Sequence, residues 1–220
     1  VLENALEDEP SNARYMFYLA QSYFDSQQWE KAKEKYQKRV EMGGWNEEVF
    51  YSQFRVGLIR GILKEPFELV VKEMLDAYNI RPIRAEPLVE LSRMYRMTDR
   101  PAAAYPFAKI AADMPYPAQD ILFISEDVYR FGALDELGAV SYYAGRPQDG
   151  YDACKKLVEE NRVPEDHKER VKANLEQYEN VMTQMQAAQM QANAQNEIQK
   201  LEKKKKQKEV LESPKYKKKY

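Results

Sequence analysis

The sequence predicts an all-α fold in which antiparallel helix pairs stack side by side as a solenoid. A ladder of large and small residues recurs at a pitch of about 34 residues. Charged side chains make up 32% of the 220 residues, which suits amphipathic helices with hydrated outer faces. Only eight glycines occur and β-branched runs are scarce, which disfavours a sheet. The two clearest copies of the ladder are Met16, Leu19, Ala20, Tyr23, Ala32 and Tyr36, then Leu88, Leu91, Ser92, Tyr95, Ala104, Ala108 and Ala111.

The first complete pair is predicted over residues 13–25 and 29–42. Asn12 can cap its first helix, because a short polar side chain accepts a hydrogen bond from a free backbone N–H. Gly43 and Gly44 can end its second helix, because glycine tolerates a left-handed exit. Residues 1–9 resemble the second helix of a unit whose first helix is missing, so we expect the chain to be a fragment of a longer protein.

Prolines and apolar stripes mark the later units. The second unit begins near Asn46, and Pro66 lies in the first turn of its partner helix, where a missing N–H costs nothing. The third unit spans residues 85–114. An interior proline costs about 3 kcal/mol, so Pro106 predicts that the second helix of this unit starts late or kinks.

The period then breaks and resumes. Residues 115–130 are predicted to form an ordered insertion that includes a short extended piece. A fourth unit begins near Leu134, and a final helix begins at Pro164. Its apolar stripe is expected to cap the open end of the stack with Leu175, Tyr178, Met182 and Met185.

Three segments follow from this pattern. Residues 1–180 form the solenoid, with a truncated first repeat and the insertion. Residues 181–202 form a polar helix extension, for which a long coiled coil is not expected because polar residues take the next core positions. Residues 203–220 are lysine-rich and are expected to be disordered.

Large apolar residues on each first helix and small residues such as Ala32 and Ala104 on each second helix are typical of the tetratricopeptide repeat (TPR). In this pattern the small residues lie where neighbouring helices approach closely. The pattern favours a binding or scaffolding surface over an enzyme.

Several blocks also resemble, in order, the repeat region that follows the catalytic domain in bacterial and viral glycosyltransferases of the large inverting nucleotide-sugar family. The resemblance covers about residues 1–180. It implies a non-catalytic partner of an enzyme domain that uses an Asp-x-Asp metal motif, which this sequence lacks. The matching blocks are residues 15–29 (YMFYLAQSYFDSQQW), 41–51 (EMGGWNEEVFY), 81–95 (RPIRAEPLVELSRMY), 123–137 and 141–157.

Catalytic and metal chemistry find no support in the sequence. His167, beside Asp166, could ligate a metal, but a solvated helix start explains it better. Cys154 could be a nucleophile, but its position on a second helix indicates a small buried hydrophobe. Gly43 and Gly44 lack the preceding strand and following Lys-Ser/Thr of a phosphate loop. We therefore predict no catalytic residue, no cofactor and no metal.

The concave face of the solenoid is the better candidate site, because the first helices line it. Arginine forks beside aromatic rings there suit a peptide carboxylate, a phosphate or a sugar. The alternative is that these are ordinary surface and packing residues. The predicted partner-binding groove consists of Arg14, Phe17, Gln21, Phe24, Arg60, Arg93, Arg96, Tyr142 and Tyr143, with Ser52, Val56, Glu86, Val89 and Asp135 on the same helix faces.

Charge is distributed unevenly along the chain. The net charge is −2, yet residues 200–220 hold ten lysines and three glutamates, so the rest carries −9. The basic segment could tether nucleic acid or an anionic membrane. A solubilising terminus is the simpler interpretation, so neither partner is expected.

The remaining composition bears on location. The single cysteine excludes an internal disulfide, and no apolar stretch approaches the roughly 20 residues that span a bilayer. We expect a cytoplasmic protein.

Together these features predict a non-catalytic TPR scaffold, the carboxyl-terminal part of a glycosyltransferase. Its groove would hold a protein or peptide: the enzyme's catalytic domain, its acceptor or a sister subunit in a homo-oligomer. The alternatives are a free-standing TPR adaptor and a tether that acts through the lysine-rich segment.

Overall fold

The computed structural model describes the backbone of residues 1–212 and the side chains of residues 1–208, and within that part the chain is helical without strands. This confirms the predicted all-α class. The α-helices, in order, are α1 (Leu2–Asp8), α2 (Ala13–Asp25), α3 (Trp29–Glu41), α4 (Asn46–Ile62), α5 (Phe67–Ile80), α6 (Glu86–Met97), α7 (Pro101–Asp113), α8 (Ala133–Val140), α9 (Pro147–Glu159) and α10 (Lys168–Glu212).

Each helix packs against the next one along the chain, from α1 through to α10. This nearest-neighbour packing is that of a solenoid. The helices α2, α4, α6 and α8 are the first members of successive pairs, and α10 follows in the position of a fifth. Because α6 also contacts α8, and α8 contacts α10, the first helices share one side of the stack.

The pitch is less regular than the sequence predicts. From Ala13 to Asn46 it is 33 residues, but it grows to 40 from Asn46 to Glu86 and 47 from Glu86 to Ala133. The first increase follows from the 17-residue length of α4. The second follows from the connection between α7 and α8.

Local signals place the ends of the first pair as predicted. The Asn12 side chain accepts a hydrogen bond from the Tyr15 backbone N–H at 3.0 Å, which caps α2. Gly43 and Gly44 take φ values of +63° and +85° just after α3. Pro66 precedes α5 as its cap rather than lying within its first turn.

Pro106 lies inside α7, so of the two predicted outcomes, a late start and a kink, the late start is wrong. The helix begins at Pro101 and continues through Pro106 to Asp113. A proline at this point removes one hydrogen bond of the helix and crowds the carbonyl of Ala102. Ala104, Ala108 and Ala111 are buried on the packed face of the same helix.

The insertion contains no extended strand. Residues 114–127, here called the strap, follow α7. They are irregular as far as residue 125, and residues 126–127 lead as helix into one π-helical turn at Val128–Gly132. That turn runs directly into α8. A second short turn, the 3₁₀ helix Glu165–His167, opens α10.

The core alternates large and small residues between the helices of each pair. Ala32 and Ala104 are fully buried, as the repeat pattern predicts. In the last pair, a Cβ on Gly138 would lie 2.7 Å from the Cys154 Sγ. The backbone of α8 at Gly138 therefore packs directly against the Cys154 side chain of α9. Gly150 is covered by the ring of Tyr178, which brings α10 against α9.

The first part of α10 caps the stack. Val171 and Tyr178 are buried, whereas Met185 is 51% exposed, so the capping stripe ends earlier than predicted. The helix continues to Glu212, past residue 203, where the sequence predicts disorder to begin. Lysine and glutamate favour helix, and no breaker precedes Pro214. Residues 213–220 lie outside the described part of the chain.

Within residues 1–212, no helix combines the length and the apolar character needed to cross a membrane.

Candidate interaction groove

The strap crosses the side of the stack formed by α2 and α4. The ring of Phe123 stacks on Phe17 of α2, with centroids 6.3 Å apart and planes 21° apart. It also lies 4.9 Å from the ring of Tyr51 on α4. The strap therefore covers the face that the first two units would present to a partner.

Hydrogen bonds to backbone atoms hold the strap in place. One oxygen of the Glu47 carboxylate accepts from the backbone N–H groups of Ile121 and Leu122, both at 2.8 Å. The Arg84 guanidinium donates to the carbonyl oxygens of Leu122 at 3.2 Å and Phe123 at 3.1 Å. One acid and one base thus hold residues 121–123 of the strap through their backbone atoms.

Asp120 anchors the strap through charge. Its carboxylate pairs with Arg81 and, at 3.3 Å, with Arg84. Burial alone would raise the pKa of Asp120, but the hydrogen bonds and positive charges of the two arginines hold it below its usual value. The carboxylate is therefore ionised and paired at neutral pH.

Most of the groove residues predicted in the first two units are committed to the fold. Phe17 is 1% exposed, and Ser52 and Val56 are buried. Gln21 accepts a hydrogen bond from the Tyr36 hydroxyl at 2.9 Å, and Phe24 packs edge-on against Trp29. Phe17 lies under the strap, and Gln21 and Phe24 pack against α3, so these residues do not line an open groove.

Two predicted arginines of the first units are also engaged within the fold. Arg60 pairs with Glu73 of α5 at 2.9 Å and with Glu65, so it faces the partner helix of its own pair. Arg14 is half exposed, pairs with the buried carboxylate of Glu48 at 2.6 Å and lies over Trp45. Both guanidinium groups are therefore already engaged by carboxylates of the fold.

An open groove of about 1020 Å³ lies further along the stack. It is bounded by α6, the π-helical turn, α8 and the start of α10. Predicted residues Arg93, Arg96, Asp135 and Tyr143 line it. The structure therefore brings together the second half of the predicted set, and separates it from the first.

Tyr142 lies outside this groove. It borders a smaller adjoining cavity of about 90 Å³, together with Tyr143, and its ring meets that of Tyr143 edge-on. Both residues are at least half exposed. Glu86 and Val89 are buried instead, Glu86 beneath the strap as a partner of Arg84.

The arginines of the groove already form salt bridges with carboxylates of the fold. Arg96 makes a bidentate contact to Glu136, at 3.1 and 2.6 Å. Arg170 makes another to Asp135, at 3.0 and 2.9 Å. Arg93 pairs with Glu90 at 2.7 Å. The forks of Arg96 and Arg170 are therefore not free to bind an anionic ligand in the bidentate way that the sequence predicts.

The carboxylates that pair with Arg93 and Arg96 are largely buried. Glu136 is 3% exposed and depends on Arg96 and Arg93 for its charge balance. Burial raises the pKa of Glu90; the charge of Arg93 opposes the rise and that of Glu136 adds to it. The inner wall of the groove is thus a buried, nearly balanced ion network.

The groove lining carries net negative charge, although Arg130, which lies outside the lining, pairs with Asp127. Six carboxylates line the groove against three arginines, which leaves −3 with His167 neutral. Three of these carboxylates, Asp99, Asp127 and Asp166, are exposed at the mouth. Aromatic surface adjoins them: His167 stacks on Phe131 at 5.3 Å, and Tyr143 is 61% exposed.

Sequence reasoning missed Phe131, Asp127 and Arg170 as groove residues. Asp127 belongs to the insertion and Phe131 follows it in the π-helical turn, so neither has a repeat register that assigns it a face. Arg170 lies on the last helix, whose apolar stripe could have identified it as a first-helix position. The spacing of Val171 and Tyr178 was the available signal.

No group of three or more His, Cys, Asp or Glu side chains in the described residues is arranged to hold a metal ion. Cys154 is buried as predicted, and burial raises the pKa of its thiol to about 12. The thiol is therefore protonated and unreactive at neutral pH.

Comparison with solved structures identifies the fold. A thermophilic TPR protein from Thermus thermophilus superposes with a TM-score of 0.51 and 15% identity, covering 79% of this chain and 87% of that one. The TPR-like repeats of a putative kinesin light chain from Podosopora anserina give 0.52 and 17%, covering 86% and 96%. Pseudomonas aeruginosa pilF gives 0.51 and 20%, covering 80% and 77%.

These likenesses show a TPR-like solenoid with a long carboxyl-terminal helix, as the repeat pattern predicts. No family model matches the chain, and no curated protein matches its sequence.

Proposed function

We propose that this chain is a non-catalytic scaffold that holds a segment of a protein partner in the groove between α6, α8 and α10. The observation that carries the proposal is the groove itself. It is the part of the first-helix face that the strap leaves uncovered, and it combines a volume of about 1020 Å³ with exposed aromatic and carboxylate groups. A rigid wall of paired charges supports it, so the surface is preorganised for binding.

The division of the chain fits this role. The scaffold spans residues 1–180, and the exposed part of α10 beyond it extends the chain away from the groove. The buried Cys154 thiol and the paired carboxylates of the groove supply neither a nucleophile nor a free acid–base pair.

A photocrosslinking experiment tests the groove as the binding face. Benzoylphenylalanine at position 143, which is exposed inside the groove, should couple to a partner that mass spectrometry can identify. The same group at Ile110, 45% exposed on α7 and outside the groove, is the matched control. Crosslinks of equal yield from both positions, or from the control alone, would contradict the proposal.

The finer proposal is that the scaffold is the carboxyl-terminal part of a glycosyltransferase, where it positions the acceptor or a partner subunit. The ordered resemblance of blocks such as residues 15–29 and 81–95 supports it. The test is the coding sequence that adjoins Val1 upstream. A nucleotide-sugar-binding domain with an Asp-x-Asp motif is expected there. An uninterrupted reading frame without such a domain would contradict the glycosyltransferase origin and favour a free-standing adaptor.

A further inference from the structure

We propose that the groove takes a lysine-rich segment, and that the segment it takes is residues 200–206 of α10 from a second copy of this chain. The inference rests on the proposed function, because it names the partner of the same groove. It would make the chain associate head to tail, the groove of one copy holding the distal helix of the next.

Charge is the first argument. The groove carries −3, with three of its carboxylates exposed at the mouth. Because the forks of Arg96 and Arg170 are already closed on Glu136 and Asp135, an added anion would meet repulsion without gaining a bidentate contact from either. A cation meets the opposite situation, since complementary potentials both steer and orient docking.

The rim contacts are easily exchanged for new ones. Asp127 pairs with Arg130 at 2.9 Å, with both side chains more than half exposed. Asp166 lies 3.6 Å from His167. Exposed pairs of this kind contribute about 0–1 kcal/mol, so an incoming ammonium group can replace them at little cost. The exposed ring of Tyr143 adds a face over which a lysine can sit.

The segment that fits lies on α10. Lys200, Lys203, Lys204, Lys205 and Lys206 are exposed on a continuous helix. A helix with its side chains is about 10 Å across and rises 1.5 Å per residue, so two turns occupy on the order of 850 Å³. That volume is comparable with the 1020 Å³ of the groove.

Geometry requires the segment to come from another molecule. The groove includes Arg170, near the start of α10, and the helix is unbroken from Lys168 to Glu212. At 1.5 Å per residue, Lys203 lies about 50 Å along the axis from Arg170. A chain therefore cannot place its own lysines in its own groove, and the contact between copies is heterologous, so it can propagate.

Sedimentation velocity of the full chain over a range of concentrations tests the inference. Association is expected at low ionic strength, and it should weaken at least about tenfold near 1 M salt, where the Debye length is about 3 Å. The variant K203Q/K204Q/K205Q/K206Q should weaken association about tenfold or more, and the matched K203R/K204R/K205R/K206R should not. A monomer at every concentration, or equal loss in both variants, would overturn the inference.

The groove side is tested separately. Asp127→Lys with Asp166→Lys should abolish association, whereas the same charge change at Glu34 and Glu41, exposed on α3, should leave it intact. A labelled peptide of residues 198–208 should bind the lysine-to-glutamine chain by fluorescence anisotropy. Binding should disappear in the groove variant, and peptide binding that survives there would overturn the assignment of the groove.

The outcomes separate this inference from the proposed function. The crosslinker at position 143 could capture a different protein while the chain sediments as a monomer. That result would support the proposed scaffold function and overturn the inference of self-association. If the lysine-to-glutamine variant loses binding to duplex DNA but keeps its association, the lysines serve nucleic acid, and this inference is overturned.

Discussion

Single residues set how closely neighbouring helices approach at the carboxyl-terminal end of the stack. Gly150 lies under the ring of Tyr178, whose hydroxyl donates to the Gly138 carbonyl at 2.7 Å and accepts from the Tyr142 N–H at 3.1 Å. One ring therefore joins α8, α9 and α10. Burial raises the pKa of Tyr178 to about 12, so the hydroxyl stays a donor at neutral pH.

Gly150→Ala should destabilise the chain by about 1–3 kcal/mol, because the new Cβ would overlap the Tyr178 ring. Urea unfolding followed by circular dichroism measures the change. Gly132→Ala is the control, since its Cβ would meet only a backbone oxygen at 3.5 Å. Equal stability of the two variants would mean that α10 does not pack on α9 as described.

Asp120 predicts how stability depends on pH. Its folded pKa lies below the unfolded value of about 3.9, so the pair with Arg81 and Arg84 contributes stability above that value. This contribution is lost as pH falls through the folded pKa. Asp120→Asn should lower stability at pH 7 and flatten its decline below about pH 4.

Denaturant unfolding at neutral and acidic pH, with wild type and variant side by side, gives the comparison. A variant with the same acid slope as the wild type would show that Asp120 is not the titrating group.

At the scale of elements, the strap decides which part of the first-helix face is available. Its anchor on Glu47 joins groups 74 and 75 residues apart in the sequence. The clamp also includes Arg84, so the strap bridges α2, α4 and the entry to α6. It acts on the stack as an internal peptide held in the groove of the first units.

Glu47→Gln should loosen the strap, because an amide accepts the two backbone N–H bonds more weakly than a carboxylate. The loss is expected to be about 1–3 kcal/mol. Hydrogen exchange measured by mass spectrometry should speed up in residues 114–127 while α9 is unchanged. Glu41→Gln on α3 is the control, and unaltered exchange in the strap of the Glu47 variant would contradict the clamp.

The difference between local and distant contacts explains what the sequence could predict. The bounds of α2 followed from Asn12, and the end of α3 from Gly43, because caps act within a few residues. The strap could not be placed, since its contacts join residues more than 30 positions apart. Likewise the exposure of Arg96 was predicted from its helix face, but its grip on Glu136, 40 residues away, was not.

For the whole molecule, stability follows from nearest-neighbour packing along the stack. Leu91 is fully buried on α6, in the middle of that stack. Leu91→Ala should therefore cost about 2–5 kcal/mol, as other large-to-small core changes do. A thermal melt measures the loss, with exposed Met97→Ala as the control. An unchanged melting temperature for Leu91→Ala would mean that the face of α6 is misassigned.

The unequal charge of the chain also belongs to this scale. The body is acidic and residues 200–220 are basic, and α10 separates the basic lysines from the acidic groove of the same molecule. This arrangement favours contacts between molecules over contacts within one, and such contacts weaken with salt.

Hydroxyl-radical footprinting of the free chain tests the central claim most directly, namely that the strap closes the first half of the helix face and leaves the second half open. Tyr143, 61% exposed, should oxidise rapidly, whereas Phe17, 1% exposed, should stay unmodified until the chain unfolds. Oxidation of Phe17 at a rate similar to that of Tyr143 in the folded chain would contradict the account.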